Sequence, residues 1–423
     1  MRAFVGELTE TMSRFQESAA GRTPRCGAVR LAGCAVLTFA AASAWAGAAS
    51  AQLAEKIGVQ ARLRVEYDDN IARRSDNVLR RGLSSKDDII YTPNLGLNFQ
   101  QPVGRFSTTL RGTLGYKFHQ YNTSLNSEVI SLSAAGNGTF GRCALAPSAN
   151  YSRQQSNLDD VPLGAPENIS INTAVGLSTT CRVGRLAPSV SVQKSWTRNE
   201  SNLGADSETL SVSGSVGYGN AALGSISLVG TYTETENQNR FTSNILGPLL
   251  LDAGYKMRSV GVNYSRPFGA RLTGTAGMQY YWLTSRFSGD DHGISGNAGL
   301  TYRVGPRLNL ALMASRSVRP PTQVFATRSI DESVDLAATY KMSSRVTLNA
   351  GVAQLNRSYT TLLTPTLLGP SDEKRRSFRA GAQFSVGDKT SLTLDYIHDN
   401  NNSDAPGFDY TSNRVALTAA RYF

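Results

Sequence analysis

From residue 57 to the end of the chain, apolar side chains recur at every second position. In residues 58–67, Val59, Ala61, Leu63, Val65 and Tyr67 fall on one side, and Gln60, Arg62, Arg64 and Glu66 on the other. Residues 106–119 repeat the pattern: Phe106, Thr108, Leu110, Leu114, Tyr116 and Phe118 oppose Thr109, Arg111, Lys117 and His119. Leu186, Val190, Val192 and Trp196 alternate with Ser189, Ser191, Gln193 and Ser195. Phe378, Ala380, Ala382, Phe384 and Val386 alternate with Arg379, Gln383 and Ser385, and stretches 272–282 and 294–304 behave alike. An extended chain points successive side chains to opposite faces, so a period of two predicts strands with one apolar and one polar face. A sandwich would alternate in the same way, so the connections have to decide the architecture.

A short motif recurs along the chain: an apolar residue, Gly, then a basic residue within one or two positions. It stands at Gly104, Gly141, Gly184, Gly269, Gly305 and Gly387, with weaker versions at Gly224 and around Ser344. The spacing is about 36 to 45 residues, and glycine supplies the positive φ of a tight hairpin. Repeats of this period also build propeller blades, but a blade needs four short strands with similar turns. Here each repeat holds two long strands, one tight turn and one long polar loop. The loops are expected at 68–88, 154–168, 197–207, 234–254, 286–293, 317–330, 358–375 and 398–412. Short turns on one side and long loops on the other are the mark of a transmembrane β-barrel, whose strands alternate apolar-out and polar-in. Eighteen alternating segments can be counted, from 57–67 to 413–423, an even number that returns both ends to the turn side. The expected fold is therefore all-β, a transmembrane antiparallel up-and-down β-barrel of about eighteen strands. Tyr67, Tyr91, Phe99, Phe118, Tyr151, Tyr264, Phe268, Tyr302 and Tyr340 near strand ends fit an aromatic girdle.

Composition agrees with this reading. The 423 residues include 39 Gly and only 18% charged side chains, against about 25% in soluble proteins. Residues 31–46 form an apolar run after Arg25 and Arg30, and small-residue sites follow at Ala46 and Ala51. That is the layout of a secretory signal peptide, with residues 1–51 as the leader, cleaved near Ala51 or at Ala46, and 52–423 as the barrel. The run is too short for a spanning helix, which takes about 20 residues. A lipoprotein-like LAGC at Leu31–Cys34 has its apolar stretch after the Cys rather than before it, so lipidation is not expected. Leader removal takes a net +2 and leaves +9 of the +11. It also removes Cys26 and Cys34. Cys143 and Cys181 remain, each beside a tight turn, on two consecutive segments and with outward parity. Directly opposed antiparallel residues lie about 4.5 to 5.5 Å apart at Cα, within reach of a disulfide. A Cys143–Cys181 bond in an oxidising compartment is expected.

The chain ends VALTAARYF, with Val415, Leu417, Ala419 and Phe423 on one face. A terminal Phe resembles the sorting signal of outer-membrane barrels, although Arg421 stands where an aromatic is usual. Together with the stretch VEYDDNIARR from Val65 and the period of about 40, it resembles an outer-membrane β-barrel (porin-like) family associated with exopolysaccharide biosynthesis and export clusters. The resemblance covers about residues 55–423, and its specific part is Val65 to Asn70. It implies an outer-membrane location, recognition of the last strand by the barrel-assembly machinery, contact with lipids and lipopolysaccharide, and a channel or export pore. It carries no catalytic residue.

Candidate chemistry lies on the polar face. Arg62, Arg64, Glu66, Arg111, Lys117, Arg303, Arg379 and Asp395 are expected to line the lumen. Charged rings set selectivity in pores, and the excess of Arg over acids favours anions. His119 is expected in the lumen, and His292 and His398 in outer loops, without metal-ligand spacing. The acidic clusters Asp68–Asn70, Asp87–Asp88, Asp290–Asp291 and Asp399–Asp404 lack a spaced calcium-loop motif and are expected to be solvated. Lys and Arg are scattered rather than gathered in a stripe, so nucleic acid is not an expected partner. Neither metal nor cofactor is expected. Three functions stay open: a passive channel for polysaccharide or small anionic solutes, a non-conducting structural or adhesion barrel, and an outer-membrane hydrolase. No serine is marked out for the last of these.

Overall fold

The computed structural model describes residues 57–75, 83–156, 168–200, 205–220, 222–239, 254–285, 289–319, 326–361, 371–405 and 407–423. The leader expected at 1–51 lies outside the described residues. Eighteen strands follow one another: β1 Ile57–Asp68, β2 Asp88–Val103, β3 Phe106–His119, β4 Ser127–Phe140, β5 Cys143–Gln155, β6 Ile169–Cys181, β7 Leu186–Asn199, β8 Ala205–Asn220, β9 Gly224–Asn239, β10 Tyr255–Phe268, β11 Leu272–Ser285, β12 Gly289–Val304, β13 Leu308–Arg319, β14 Ala326–Lys341, β15 Val346–Thr361, β16 Asp372–Val386, β17 Thr390–Ser403 and β18 Tyr410–Tyr422. Each pairs antiparallel with the next, and β18 pairs with β1, from Gln60↔Tyr422 to Asp68↔Arg414. Closure leaves no open edge, as lipid demands, because an unpaired N–H or C=O in hydrocarbon costs several kcal/mol.

Register fixes the faces, since directly opposed residues share one. Leu63 lies opposite Ala419 and Pro93, and Leu97 opposite Val59. These positions point outward and are bare in the isolated chain: Leu63 is 47% exposed, Leu417 51% and Met278 64%. Apolar side chains at that exposure require lipid around them. At the turn end the glycines of the recurring motif take left-handed backbone, with φ 60° at Gly104 and 59° at Gly141. The same conformation recurs at Gly184, Gly224, Gly269, Gly305 and Gly387. The connection between β14 and β15 has no such glycine. There the Ser343 hydroxyl accepts from the N–H groups of Arg345 and Val346, at 3.2 and 3.1 Å, and shapes the turn instead.

At the loop end the strands run further than alternation indicates. β12 begins at Gly289, β16 at Asp372, and β17 continues to Ser403. His292 and His398, expected in loops, therefore stand on β12 and β17, and so do Asp290–Asp291 and Asp399. The physical reason is that both faces are polar beyond the lipid, so the period fades while backbone pairing continues. Outward-facing ion pairs link neighbouring strands towards the loop end: Lys194–Glu208 at 3.2 Å, Lys256–Glu234 at 2.9 Å and Arg316–Glu332 at 2.5 Å.

The segment after β1 does not form a solvated loop either. Asp68 and Asn70 are 1% exposed and Asp88 0%. The Arg73 guanidinium holds both Asp68 carboxylate oxygens, at 2.9 and 2.6 Å, and also donates to the Ser412 hydroxyl on β18 at 2.8 Å. Asp69 accepts from the backbone and side-chain nitrogens of Asn413, both at 2.7 Å. Next to it, Ala72 and Leu83 pack with Leu125 of a short helical turn, Thr123–Leu125. The stretch DDNIARR thus staples the first strand to the last. Outside the strands, burial alone would raise the Asp404 carboxyl, but the Ser371 hydroxyl and the N–H groups of Asp372 and Ser371 hold it below the usual carboxylate range.

Candidate functional site: the lumen wall

The inward face of the barrel follows from the same register. Gln60, Arg62, Arg64, Glu66 and Asp68 of β1 share it with Asn94 and Asn98 of β2, and Asn98 lies opposite Arg111 of β3. Ala416 of β18 lies opposite both Glu66 and Asp395. Arg379 lies opposite Ile397 and Arg303 opposite Asn309. Arg62, Arg64, Glu66, Arg111, Lys117, Arg303, Arg379 and Asp395 all stand on this face. The Arg379 and Asp335 side chains there are 55% and 41% exposed, so the interior holds solvent. Barrels of 16 to 18 strands leave an aqueous channel for this geometric reason.

Contacts divide these residues into two groups. Arg64 donates to Glu66 Oε2 through Nε at 2.9 Å and Nη2 at 2.5 Å, and reaches Asp395 at 3.6 Å. It crosses over Ala416, which is 2% exposed and small enough to pass under a guanidinium. Arg379 pairs with Asp335 of β14 at 3.1 Å. These charges largely cancel. Among the described residues, Arg62 makes no ion pair and meets the amide oxygen of Gln60 at 3.1 Å. Among the described residues, Arg111 and Arg303 make no ion pair. Lys117 stands near Glu66 and Arg64. The uncancelled charge of the middle and turn end is therefore cationic.

A second group near the loop end escaped the sequence reading. Arg357 of β15 makes a two-point contact with Asp331 of β14, at 2.9 and 3.1 Å, and donates to the Tyr359 hydroxyl at 3.2 Å. Tyr359 in turn donates to Glu373 at 2.9 Å. Asp399 accepts from Arg414 at 2.7 Å and from Ser377 at 2.5 Å. His119 meets Asp88 at 3.1 Å, and Asp88 also accepts from Asn122. Parity places each of these inward, but only folding shows which charge finds which. Among the described residues, no cluster of three His, Cys, Asp or Glu side chains is placed to hold a metal ion.

The charges also occupy only part of the circumference. They lie on β12–β18 and, across the closure, on β1–β3. Among the described residues the inward face of β4–β11 carries no charged side chain. It is built mostly of Ser, Thr, Asn, Gln, Ala and Gly, cross-linked by hydroxyls such as Ser189–Ser215 and Ser191–Ser213, both at 2.7 Å, with a buried apolar cluster of Tyr255, Tyr281 and Leu283 at the loop end of β10 and β11. The lumen thus has a charged arc facing a neutral hydroxyl arc. On the outer surface Cys143 lies opposite Cys181, with Cα atoms 3.9 Å apart and a disulfide between them. The bond ties the turn ends of β5 and β6. Non-reducing tryptic digestion is expected to yield the two peptides linked, and alkylation of both thiols without reductant would contradict this. Phe423 follows β18, 65% exposed, and its N–H donates to Val59 at 2.9 Å.

No curated protein matches the sequence. Several solved outer-membrane structures are similar. OpdL of Pseudomonas aeruginosa is 12% identical, with 87% of this chain and 98% of that one covered and a TM-score of 0.48. OccK2 (OpdF) of Pseudomonas aeruginosa in complex with glucuronate is 11% identical, with 87% and 98% covered and a TM-score of 0.47. The siderophore receptor PirA of Acinetobacter baumannii is 8% identical, with 87% and 80% covered and a TM-score of 0.49. The described residues close into an eighteen-stranded antiparallel β-barrel of the outer membrane, and its C-terminal part, residues 253–421, is similar to the family described as Putative beta-barrel porin 2.

Proposed function

We propose that the barrel is a passive channel for small anionic solutes or anionic polysaccharide chains. The observation that supports this reading is the residual cationic charge of Arg62, Arg111 and Arg303 on a solvent-filled inner face, after Arg64 and Arg379 are cancelled by Glu66, Asp395 and Asp335. Unpaired guanidinium groups lower the free energy of an anion in the lumen and raise that of a cation. The neutral arc opposite offers hydroxyls and amides to the uncharged parts of a passing solute. No bond is made or broken, and the mechanism is diffusion down a gradient. Reconstitution in a planar bilayer under a salt gradient tests the proposal. The reversal potential is expected to favour chloride over potassium. Cation selectivity or absence of conductance would overturn it.

A further inference from the structure

The outward face carries a second array of charges, above the lipid-facing band. Four of its cations meet an acid on a neighbouring strand: Lys194 with Glu208, Lys256 with Glu234, Arg316 with Glu332, and Arg153 with Glu128 and Glu200. Lys374 and Arg376 on β16 differ. Among the described residues neither makes an ion pair. Their direct neighbours are amides: Arg376 lies between Gln354 and Asn400, and Lys374 between Asn356 and Asn402. Two like charges two positions apart on one strand face repel each other, and the nearest acid on that face, Asp372, is engaged by the Ser358 hydroxyl rather than by Lys374.

The height of the pair is set by the same strand. Val386, Phe384, Ala382, Ala380 and Phe378 face outward in succession before Arg376 is reached. Eight residue steps at about 3.3 Å span roughly 26 Å along the strand, or about 20 Å of height at the usual tilt, which is most of the apolar band of an outer-membrane barrel, about 25 Å tall. Val352 opposite Phe378 ends the apolar run on β15, and Tyr396 ends it on β17. Lys374 and Arg376 therefore sit where the headgroups of the outer leaflet begin.

We propose that this patch binds the phosphorylated saccharide headgroup of an outer-leaflet glycolipid. Lys374 and Arg376 take the phosphate, and Gln354, Asn356, Asn400 and Asn402 meet sugar hydroxyls. The choice of occupant rests on charge and place together: two cations without an ion pair among the described residues, flanked by amides and facing lipid at headgroup height. Charge-assisted hydrogen bonds to phosphate are the strong kind, and the guanidinium fork suits it.

The test uses the folded full chain in detergent, titrated with bis-phosphorylated lipid A or with the same lipid stripped of phosphate, and read by native mass spectrometry. The wild type is expected to bind the phosphorylated form about tenfold or more tightly than the stripped one. Lys374→Gln with Arg376→Gln should abolish that preference. Arg316→Gln, which removes a cation already matched by Glu332, should keep it, and so should the charge-preserving Lys374→Arg with Arg376→Lys. Equal affinity of the wild type for the two lipids, or an undiminished preference in the double Gln variant, would overturn the proposal. If the double variant loses its heat-modifiable mobility and so its fold, the comparison of the two lipids on the wild type decides alone.

Discussion

Replacing Arg62 and Arg111 together by Glu is expected to turn an anion-preferring conductance into a cation-preferring one. Both side chains face the lumen near mid-strand, and among the described residues neither is matched by an acid. Each substitution changes the local charge by two units. At about 7 Å in water a unit charge is worth roughly 0.6 kcal/mol, and physiological salt reduces that by about half. Two such substitutions act in opposite senses on anion and cation, so the permeability ratio should shift by about tenfold or more. The control is Arg64→Gln combined with Asp395→Asn, which removes one cation and one anion of a single pair and should leave selectivity nearly unchanged. Asp395→Asn should move it further towards anions. Reversal potentials across a salt gradient measure all of these. Unchanged selectivity in the double Glu variant would mean that the lumen charges do not set it.

Arg73→Ala is expected to weaken the barrel at its closure by about 3 kcal/mol or more. Asp68 is 1% exposed, and the Arg73 fork is its only cationic partner among the described contacts. Removing one member of a buried pair leaves a buried charge, at a cost of about 3 to 5 kcal/mol. The same guanidinium ties Ser412 of β18, so the loss falls where β1 meets β18. Arg73→Lys should recover part of the effect, because an ammonium cannot hold both carboxylate oxygens in the same fork. Urea unfolding in lipid vesicles, followed by tryptophan fluorescence, measures the shift of midpoint. A midpoint like that of the wild type would show that Asn70 and Ser412 satisfy Asp68 without help.

Much of the fold is written locally. The period of two assigns each residue to lipid or lumen one strand at a time, without knowledge of any partner. Up-and-down order makes neighbours in space out of neighbours in sequence, which is why Cys143 and Cys181 could be matched by parity and turn position alone. The glycines at 104, 141, 184, 269, 305 and 387 mark turns because left-handed backbone excludes most side chains. The same locality explains the shortened strands at the loop end. Alternation needs lipid on one side, and past residues such as Arg376 it has water on both.

Tertiary structure decided the rest. Ser412 and Asp68 touch across 344 residues of sequence, and no local pattern announces that the last strand closes on the first. Arg64 is one lumen cation among several in the sequence. It is cancelled only because closure sets Asp395 two strands away with small Ala416 between them. Arg111 and Arg303 stay charged because the faces beside them hold amides and hydroxyls. The division of the lumen into a charged arc and a neutral arc belongs to the circle rather than to any strand. The sequence by itself determined which side each residue faces, since that depends on the pleat. Which charges survive on that side was decided by closure and register, since Coulomb energy depends on distances that only the finished ring sets.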